Sequence, residues 1–308
     1  MKSSVKIFAP ATISNVGPGF DLMGFALEQP GDIMIVKPND TGKIRIINNT
    51  SSNIPLDIEK NVASVAANAL LDALGCKAGF DLIFETKINP GSGIGSSAAS
   101  CTAAVVGVNE LLNRPFSQKE LLPFAMKGEF VASGSVHADN VAPALLGGFI
   151  LIRDYNPIDL VRIDAPQELI CTVAHPNIEI KTSESRKLIP KELPVNKVLE
   201  QCGNIAGLLA GLTTSDYQLI GRSLHDVIAE PVRAALIPGY SEIKARLSET
   251  GALGGNISGS GPSVFALSDN PESAKKAGAL MHEVFNKNGL ENKVYISKIS
   301  RQGTRLID

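Results

Sequence analysis

Apolar and polar residues alternate over Gly79 to Ile88, with Phe80, Leu82 and Phe84 on one face. That period of two predicts a half-buried strand. Ala98 to Leu112 is instead rich in alanine and other apolar residues and has no internal proline, so it predicts a buried helix beginning inside the Ser96-Ser97 pair. Upstream, Val5 to Phe8, Ile33 to Lys37 and Lys43 to Ile47 read as strands of a first sheet, and a helix is predicted over Val62 to Leu74, ending at Gly75. Ser117-Gln118-Lys119-Glu120 carries the Ser-x-x-Glu signature of a capped helix start. The helix that follows would bear Glu129 near its end, with Pro123 forcing an early kink or a delayed start.

After Gly147-Gly148, a strand over Phe149 to Ile152 leads into Arg153 to Gln167, where two prolines and several charges suggest a connection between domains. The second half alternates strands (Leu169 to Ala174, Val264 to Leu267, Val294 to Ile299) with helices near Asn196 to Leu212, Asp216 to Ile228, Tyr240 to Thr250 and after Pro271. Such a pattern suggests α+β layers with helices on one face of a sheet. No internal repeat or low-complexity tract interrupts it.

Composition narrows the function classes. At roughly one domain per 150 residues, 308 residues suggest two domains, each able to bury a core. A hydrophobic share of 44% against 19% charged argues against extensive disorder. Net charge is -2, and no basic stripe is present to neutralise a nucleic-acid backbone. No apolar run reaches the roughly 18 residues that span a membrane, and the N-terminus lacks a signal-peptide core, so a cytoplasmic location is expected. Cys76, Cys101, Cys171 and Cys202 are scattered singly and the four histidines form no His-Glu-x-x-His pattern, which makes disulfide and zinc readings poor.

The strongest chemical signal is Pro90-Gly91-Ser92-Gly93-Ile94-Gly95-Ser96-Ser97-Ala98, between the predicted strand and the predicted helix. Its glycines would let the backbone approach an anion, and the helix end would supply unpaired N–H groups and a positive dipole. It is not a Walker loop, since no Gly-Lys-Ser/Thr is present, and not a dinucleotide fingerprint, since Ser96 stands where the third glycine would fall.

Two further segments accompany it: Ala9-Pro10-Ala11-Thr12-Ile13-Ser14-Asn15-Val16-Gly17-Pro18-Gly19-Phe20-Asp21 and Gly254-Gly255-Asn256-Ile257-Ser258-Gly259-Ser260-Gly261-Pro262-Ser263. Together, in this order, the three motifs resemble those of the GHMP family of small-molecule kinases across essentially the whole chain. Other members usually carry a basic residue near Thr12, which this chain lacks. The resemblance implies a two-domain α+β fold: an N-terminal ribosomal-protein-S5-domain-2-like domain over 1–165 and a C-terminal ferredoxin-like domain over 166–308. It implies ATP and Mg²⁺ as cofactors, a small alcohol as phosphoryl acceptor, and a homodimer.

Site residues follow from the same resemblance. Pro90 to Ala98 would hold the ATP phosphates, Asn61 would lie by the adenine, and Ser97 and Glu129 would hold Mg²⁺. The acceptor it implies is L-homoserine, with Asn15 and Asp21 contacting the amino acid and Asp21 pairing its ammonium. Arg186 and Arg233 would grip the carboxylate through their planar forks. His137 and Asn140 would orient or polarise the reacting hydroxyl. An aspartate commonly stands in the family where Asn140 falls, so this chain would work without a side-chain base, although Asp139 is a rival one residue away. Each position also has a plain structural alternative: Ser97 as a helix cap, Glu129 as a solvated charge, Asp139 or Asn140 as a cap before Val141, and the arginines as surface partners of Glu184 and Glu230. A kinase of another small alcohol, or a catalytically silent member of the fold, are the competing functions.

Overall fold

The computed structural model describes residues 3–134 and 137–307. In chain order the elements are β1 (Val5–Ser14), β2 (Met23–Asn39), β3 (Ile44–Asn48), α1 (Val62–Ala73), β4 (Gly79–Thr86), α2 (Ser96–Leu111), α3 (Leu122–Ser133) and α4 (Val141–Leu146). Then come β5 (Phe149–Tyr155), β6 (Ile158–Ile163), β7 (Ile170–Pro176), α5 (Thr182–Lys187), α6 (Val195–Thr214), α7 (Tyr217–Ser223) and α8 (Glu230–Arg233). The chain closes with α9 (Tyr240–Arg246), β8 (Gly254–Ile257), β9 (Val264–Ser268), α10 (Pro271–Lys287), β10 (Asn292–Lys298) and β11 (Arg305–Ile307).

Two sheets organise these elements, giving the α+β architecture expected. The first runs β11-β1-β2-β4-β3, with the hairpin β5-β6 added where β5 pairs the start of β2. It is antiparallel except for β3 against β4. The second is an antiparallel sheet ordered β10-β7-β9-β8, with α10 packed across it. One core joins the sheets: Phe25 on β2 stacks on Phe149 of β5 at 4.5 Å and meets Phe265 of β9 edge-on at 6.3 Å. Aromatic pairs of this geometry add about 0.5–1.5 kcal/mol each beyond burial. Nearly every side chain of α2 is buried, which explains its alanine-rich, faceless sequence. Among the described residues no helix is long and apolar enough to cross a membrane.

Several elements depart from expectation. Arg153 to Gln167 is not a connection: β5 continues to Tyr155 and β6 returns antiparallel to it. Pro157 sits in the turn between them, and the charges face out, with Arg153 paired to Asp159 across the hairpin. The helix expected to reach Ile228 stops at Ser223, because Asp226 turns its carboxylate onto the N–H groups of Ile228, Ala229 and Glu230 to cap the next helix. Gly254 to Ile257 is a strand, and Arg305 to Ile307 returns to pair β1, so the first sheet takes its edge from the end of the chain. Pro123 delays a helix: Glu120 accepts from Ser117 N at 2.8 Å over a 3-10 turn, and α3 begins only at Leu122.

Candidate active site

The phosphate-loop motif and the acceptor residues predicted from sequence line one cleft of about 500 Å³. At its floor, Gly91, Gly93 and Gly95 all adopt left-handed backbone, φ 74°, 76° and 70°. Space forbids side chains as firmly as φ does. A Cβ on Gly95 would lie 2.0 Å from Thr12 Oγ1, and one on Gly93 2.5 Å from the Gly261 carbonyl. The late glycine-rich segment is therefore the layer behind the loop. Ser258 Oγ donates to Gly93 O at 2.6 Å, Ser263 Oγ to Ser92 O at 2.5 Å, and Thr12 N to Ile94 O at 3.1 Å. Pulling three successive carbonyls back removes the oxygens that would repel an anion, while α2 opens directly at Ser96 with Gly95 at its cap, which has no side chain to claim the N-terminal N–H groups. Ser92 Oγ is buried with no hydrogen-bond partner among the described residues, a donor of the kind a phosphate oxygen satisfies. Ile94 and Ala98 point elsewhere: both side chains are buried in the core.

A buried ion pair braces this floor from below. Lys87 Nζ lies 3.1 Å from Asp32 Oδ2 and donates to Ser96 O at 3.0 Å and Ile88 O at 2.9 Å. Asp32 also accepts from Ile88 N and Ser100 Oγ, both at 2.8 Å. Both charges are saturated with partners, which is what makes such a pair tolerable in an interior. Sequence reading missed it because the two residues lie 55 positions apart.

Ser97 hydrogen-bonds the carboxylate of Glu129, which reaches in from α3. Neither plain alternative holds. Gly95, not Ser97, occupies the cap position of α2, and Glu129 is 8% exposed. Burial pushes the Glu129 carboxyl up to about 7, against the opposing pull of Ser97 and Lys87. Hydroxyl and carboxylate oxygens suit a hard divalent cation. Among the described residues no group of three or more His, Cys, Asp or Glu could hold a metal alone, so any ion here takes most of its ligands from phosphate and water. Asn61 caps α1, accepting from Ala63 N at 2.9 Å, and donates to Pro55 O at 2.7 Å. Its amide is spent on shaping the cleft wall.

At the other end, the loop after β1 places Asn15 and Asp21 in left-handed backbone. Asn15 bonds Gly259 O through Nδ2 and receives Asp21 N on Oδ1, both at 3.1 Å, so it shapes the loop with both ends of its amide. Asp21, expected to pair an ammonium, is held by Arg186 Nη2 at 2.8 and 3.0 Å, with His137 Nδ1 3.7 Å away. Burial lowers the His137 pKa, and its Nε2 is buried without a partner among the described residues.

Arg186 and Arg233 sit 5.3 Å from the Phe20 ring centroid, both guanidiniums on the one ring. Arg233 is 3% exposed and donates to Gly259 O at 2.8 Å; Glu184 and Glu230 pair with Lys187 and Lys244 instead. Burial, and then the neighbouring Arg186, lower the Arg233 pKa. Two guanidiniums side by side, Arg233 desolvated and Arg186 half-buried, each with a buried Nε that has no partner among the described residues, mark a place for an anion. Gln201, also unforeseen, ties the ends together: its Nε2 donates to Pro18 O at 2.6 Å and to Asp226 Oδ1 at 2.9 Å.

Asn140 stands before α4 without capping it through its side chain. Thr12 Oγ1 donates to its Oδ1 at 2.7 Å and its Nδ2 donates to Ser14 Oγ at 2.9 Å. Asp139 is buried beside it, and burial pushes its carboxyl up to about 7.

Comparison with known proteins agrees with this geometry. Residues 61–148 match the model of the GHMP kinases N terminal domain and residues 208–287 that of the GHMP kinases C terminal. A homoserine kinase of Chlorobium phaeobacteroides is 45% identical over 97% of this chain and 98% of its own, and one of Methanococcus vannielii 40% identical over 85% and 87%. The crystal structure of homoserine kinase from Cytophaga hutchinsonii superposes with a TM-score of 0.95 at 45% identity, covering 100% of this chain and 98% of that one. Mevalonate kinase of L. major shares the fold, with a TM-score of 0.73 at 17% identity, covering 97% and 98%.

Proposed function

Because this chain belongs to the GHMP kinase family, it is an ATP-dependent kinase, and we propose that it phosphorylates the side-chain hydroxyl of L-homoserine to O-phospho-L-homoserine, in threonine biosynthesis. The observation that carries the acceptor is the arginine pair on Phe20, Arg233 buried and Arg186 half-buried. It supplies the planar, doubly charged recognition that a carboxylate demands, at the end of a cleft whose other end is a phosphate cradle.

In phosphoryl transfer the protein has little covalent work to do; it holds the reactants in line and balances their charge. The glycine loop and the start of α2 receive the phosphates of ATP. Ser97 and Glu129 would hold Mg²⁺, which supplies charge neutralisation between phosphate oxygens when bound. Arg186 and Arg233 take the amino-acid carboxylate. As the carboxylate arrives, Arg186 shifts part of its charge from Asp21, which then serves the ammonium. Asn140 orients the hydroxyl and, being an amide, takes no proton from it; as the new O–P bond forms and ADP leaves, the hydroxyl proton passes to phosphate or to solvent.

An ADP-release assay offering homoserine, mevalonate and shikimate in turn tests the reading. Release with homoserine alone is expected. Equal release with mevalonate, or none with homoserine, would sink the assignment of the acceptor.

A further inference from the structure

Hairpin β5-β6 carries a tyrosine that reaches the acceptor end of the cleft from outside it. Leu160 and Ile158 are two apart on β6 and share a face, yet their partners on β5, Ile152 and Tyr155, are three apart. Residues three apart on a regular strand face opposite ways, so the bulge between Ile152 and Asp154 is what turns Tyr155 onto the face of the fully buried Ile152. There its hydroxyl bonds the backbone twice: it donates to Asp21 O at 2.7 Å and accepts from Ala138 N at 3.3 Å. We propose that the Tyr155 hydroxyl is a positioning group that ties the Asp21 turn to the His137–Asn140 segment and so sets the spacing between the two halves of the acceptor site.

The sheet does not do this by itself. The pairing of β5 with β2 ends with Ile152 N on Leu22 O, one residue short of Asp21. Both backbone units that Tyr155 holds are fixed at their other ends as well. Asp21 N donates to Asn15 Oδ1 at 3.1 Å, and Ala138 O accepts from Ala142 N at 2.7 Å where α4 begins. Asp21 needs such pinning, because its φ of 58° is left-handed backbone that a residue other than glycine keeps only where its surroundings over-determine it. With the carbonyl held, the carboxylate stays beside Arg186 in the cleft.

On the other side, Ala138 is fully buried, follows His137 directly and precedes Asn140 by two residues. Burial pushes the Tyr155 hydroxyl further above its ordinary pKa, so it keeps the proton it donates to Asp21 O. Tyr155 does not line the cleft, so it acts through these two backbones and not on a reactant. Resting on the acceptor reading above, the Asp21 side serves the ammonium and the Asn140 side the reacting hydroxyl. One hydroxyl group therefore bears on KM through one segment and on kcat through the other.

Tyr155→Phe keeps the ring and its packing and removes only the oxygen. KM for homoserine is expected to rise about three- to tenfold and kcat to fall about tenfold, with KM for ATP unchanged. In enzyme labelled with ¹⁵N-alanine and free of substrates, the Ala138 amide, assigned by its loss in Ala138→Gly, should exchange about tenfold or more faster in Tyr155→Phe than in the wild type. Kinetics equal to wild type, or a rise in KM for ATP matching that for homoserine, would reduce Tyr155 to a part of the scaffold and overturn the proposal. So would an Ala138 amide that exchanges alike in both proteins. The exchange is read whatever the acceptor proves to be, so a wild type inactive on homoserine would end the substrate reading alone, with the tie between the two segments still decided by the amide.

Discussion

If Arg233 grips the acceptor carboxylate as proposed, it separates the two substrates at the level of a single side chain. It touches the acceptor end of the cleft, bonds only Gly259 O and Phe20 in the described structure, and is far in role from the phosphate cradle. Arg233→Ala removes a charge-assisted contact worth about 1.5–3 kcal/mol, so KM for homoserine should rise about ten- to a hundredfold or more while KM for ATP holds. Steady-state kinetics with each substrate varied in turn checks this, and unaltered homoserine kinetics would remove Arg233 from the site. Arg233→Lys should recover only part of the loss, because an ammonium keeps the charge without the fork. The arginines were legible only through their setting in motifs; nothing in Thr182 to Arg186 or Glu230 to Arg233 alone distinguishes them from surface ion pairs. Lys87 and Asp32 were not legible at all, since a pair made across a sheet leaves no local spacing in the sequence.

At the scale of elements, α8 is the weak part that carries a strong residue. A helix of four residues cannot hold itself together, since nucleation alone fixes three residues for one hydrogen bond. Asp226 supplies the missing stability by receiving three successive N–H groups, and Gln201 of α6 holds that carboxylate while also holding Pro18 of the acceptor loop. Asp226→Ala should therefore cost about 0.5–2 kcal/mol in stability, the usual worth of such a cap, and raise KM for homoserine several-fold with little change for ATP. Thermal unfolding and kinetics on the same preparation check both halves; a stability loss without the homoserine effect would show that α8 is positioned otherwise. This arrangement explains why a single helix from Asp216 to Ile228 was a natural but mistaken expectation. Apolar residues continue through Leu224 and Val227, and only the cap geometry at Asp226 reveals the break. The hairpin β5-β6 was misread for the complementary reason, since Pro157 and the outward charges of an exposed hairpin imitate a linker.

Over the whole molecule, strands and helices with strong local periodicity were legible. The joins between distant parts were not: β11 returning to β1, or the shared core in which Phe25, Phe149 and Phe265 meet, depend on long-range packing. The same packing buries ionisable groups with opposite preferences, and stability should record them. Asp139 is pushed up to about 7, chiefly by burial. Its folded form therefore holds a proton that the unfolded chain releases near pH 4, so its contribution is present at low pH and is lost as pH rises towards 7. His175, on β7 next to Lys293, is pushed down to about 4, again chiefly by burial. There the unfolded chain binds the proton first, so its contribution is present above about pH 6.5 and is lost as pH falls towards 4. Measured without substrates, the stability of Asp139→Asn relative to wild type should climb between about pH 4 and pH 7, whereas that of His175→Phe relative to wild type should climb in the opposite direction, as pH falls from about 6.5 to 4. Urea unfolding at half-unit pH steps gives both curves. Parallel curves for wild type and Asp139→Asn would mean that the carboxyl titrates as it does in water. A climbing curve would show that the charge on this buried carboxyl destabilises the fold.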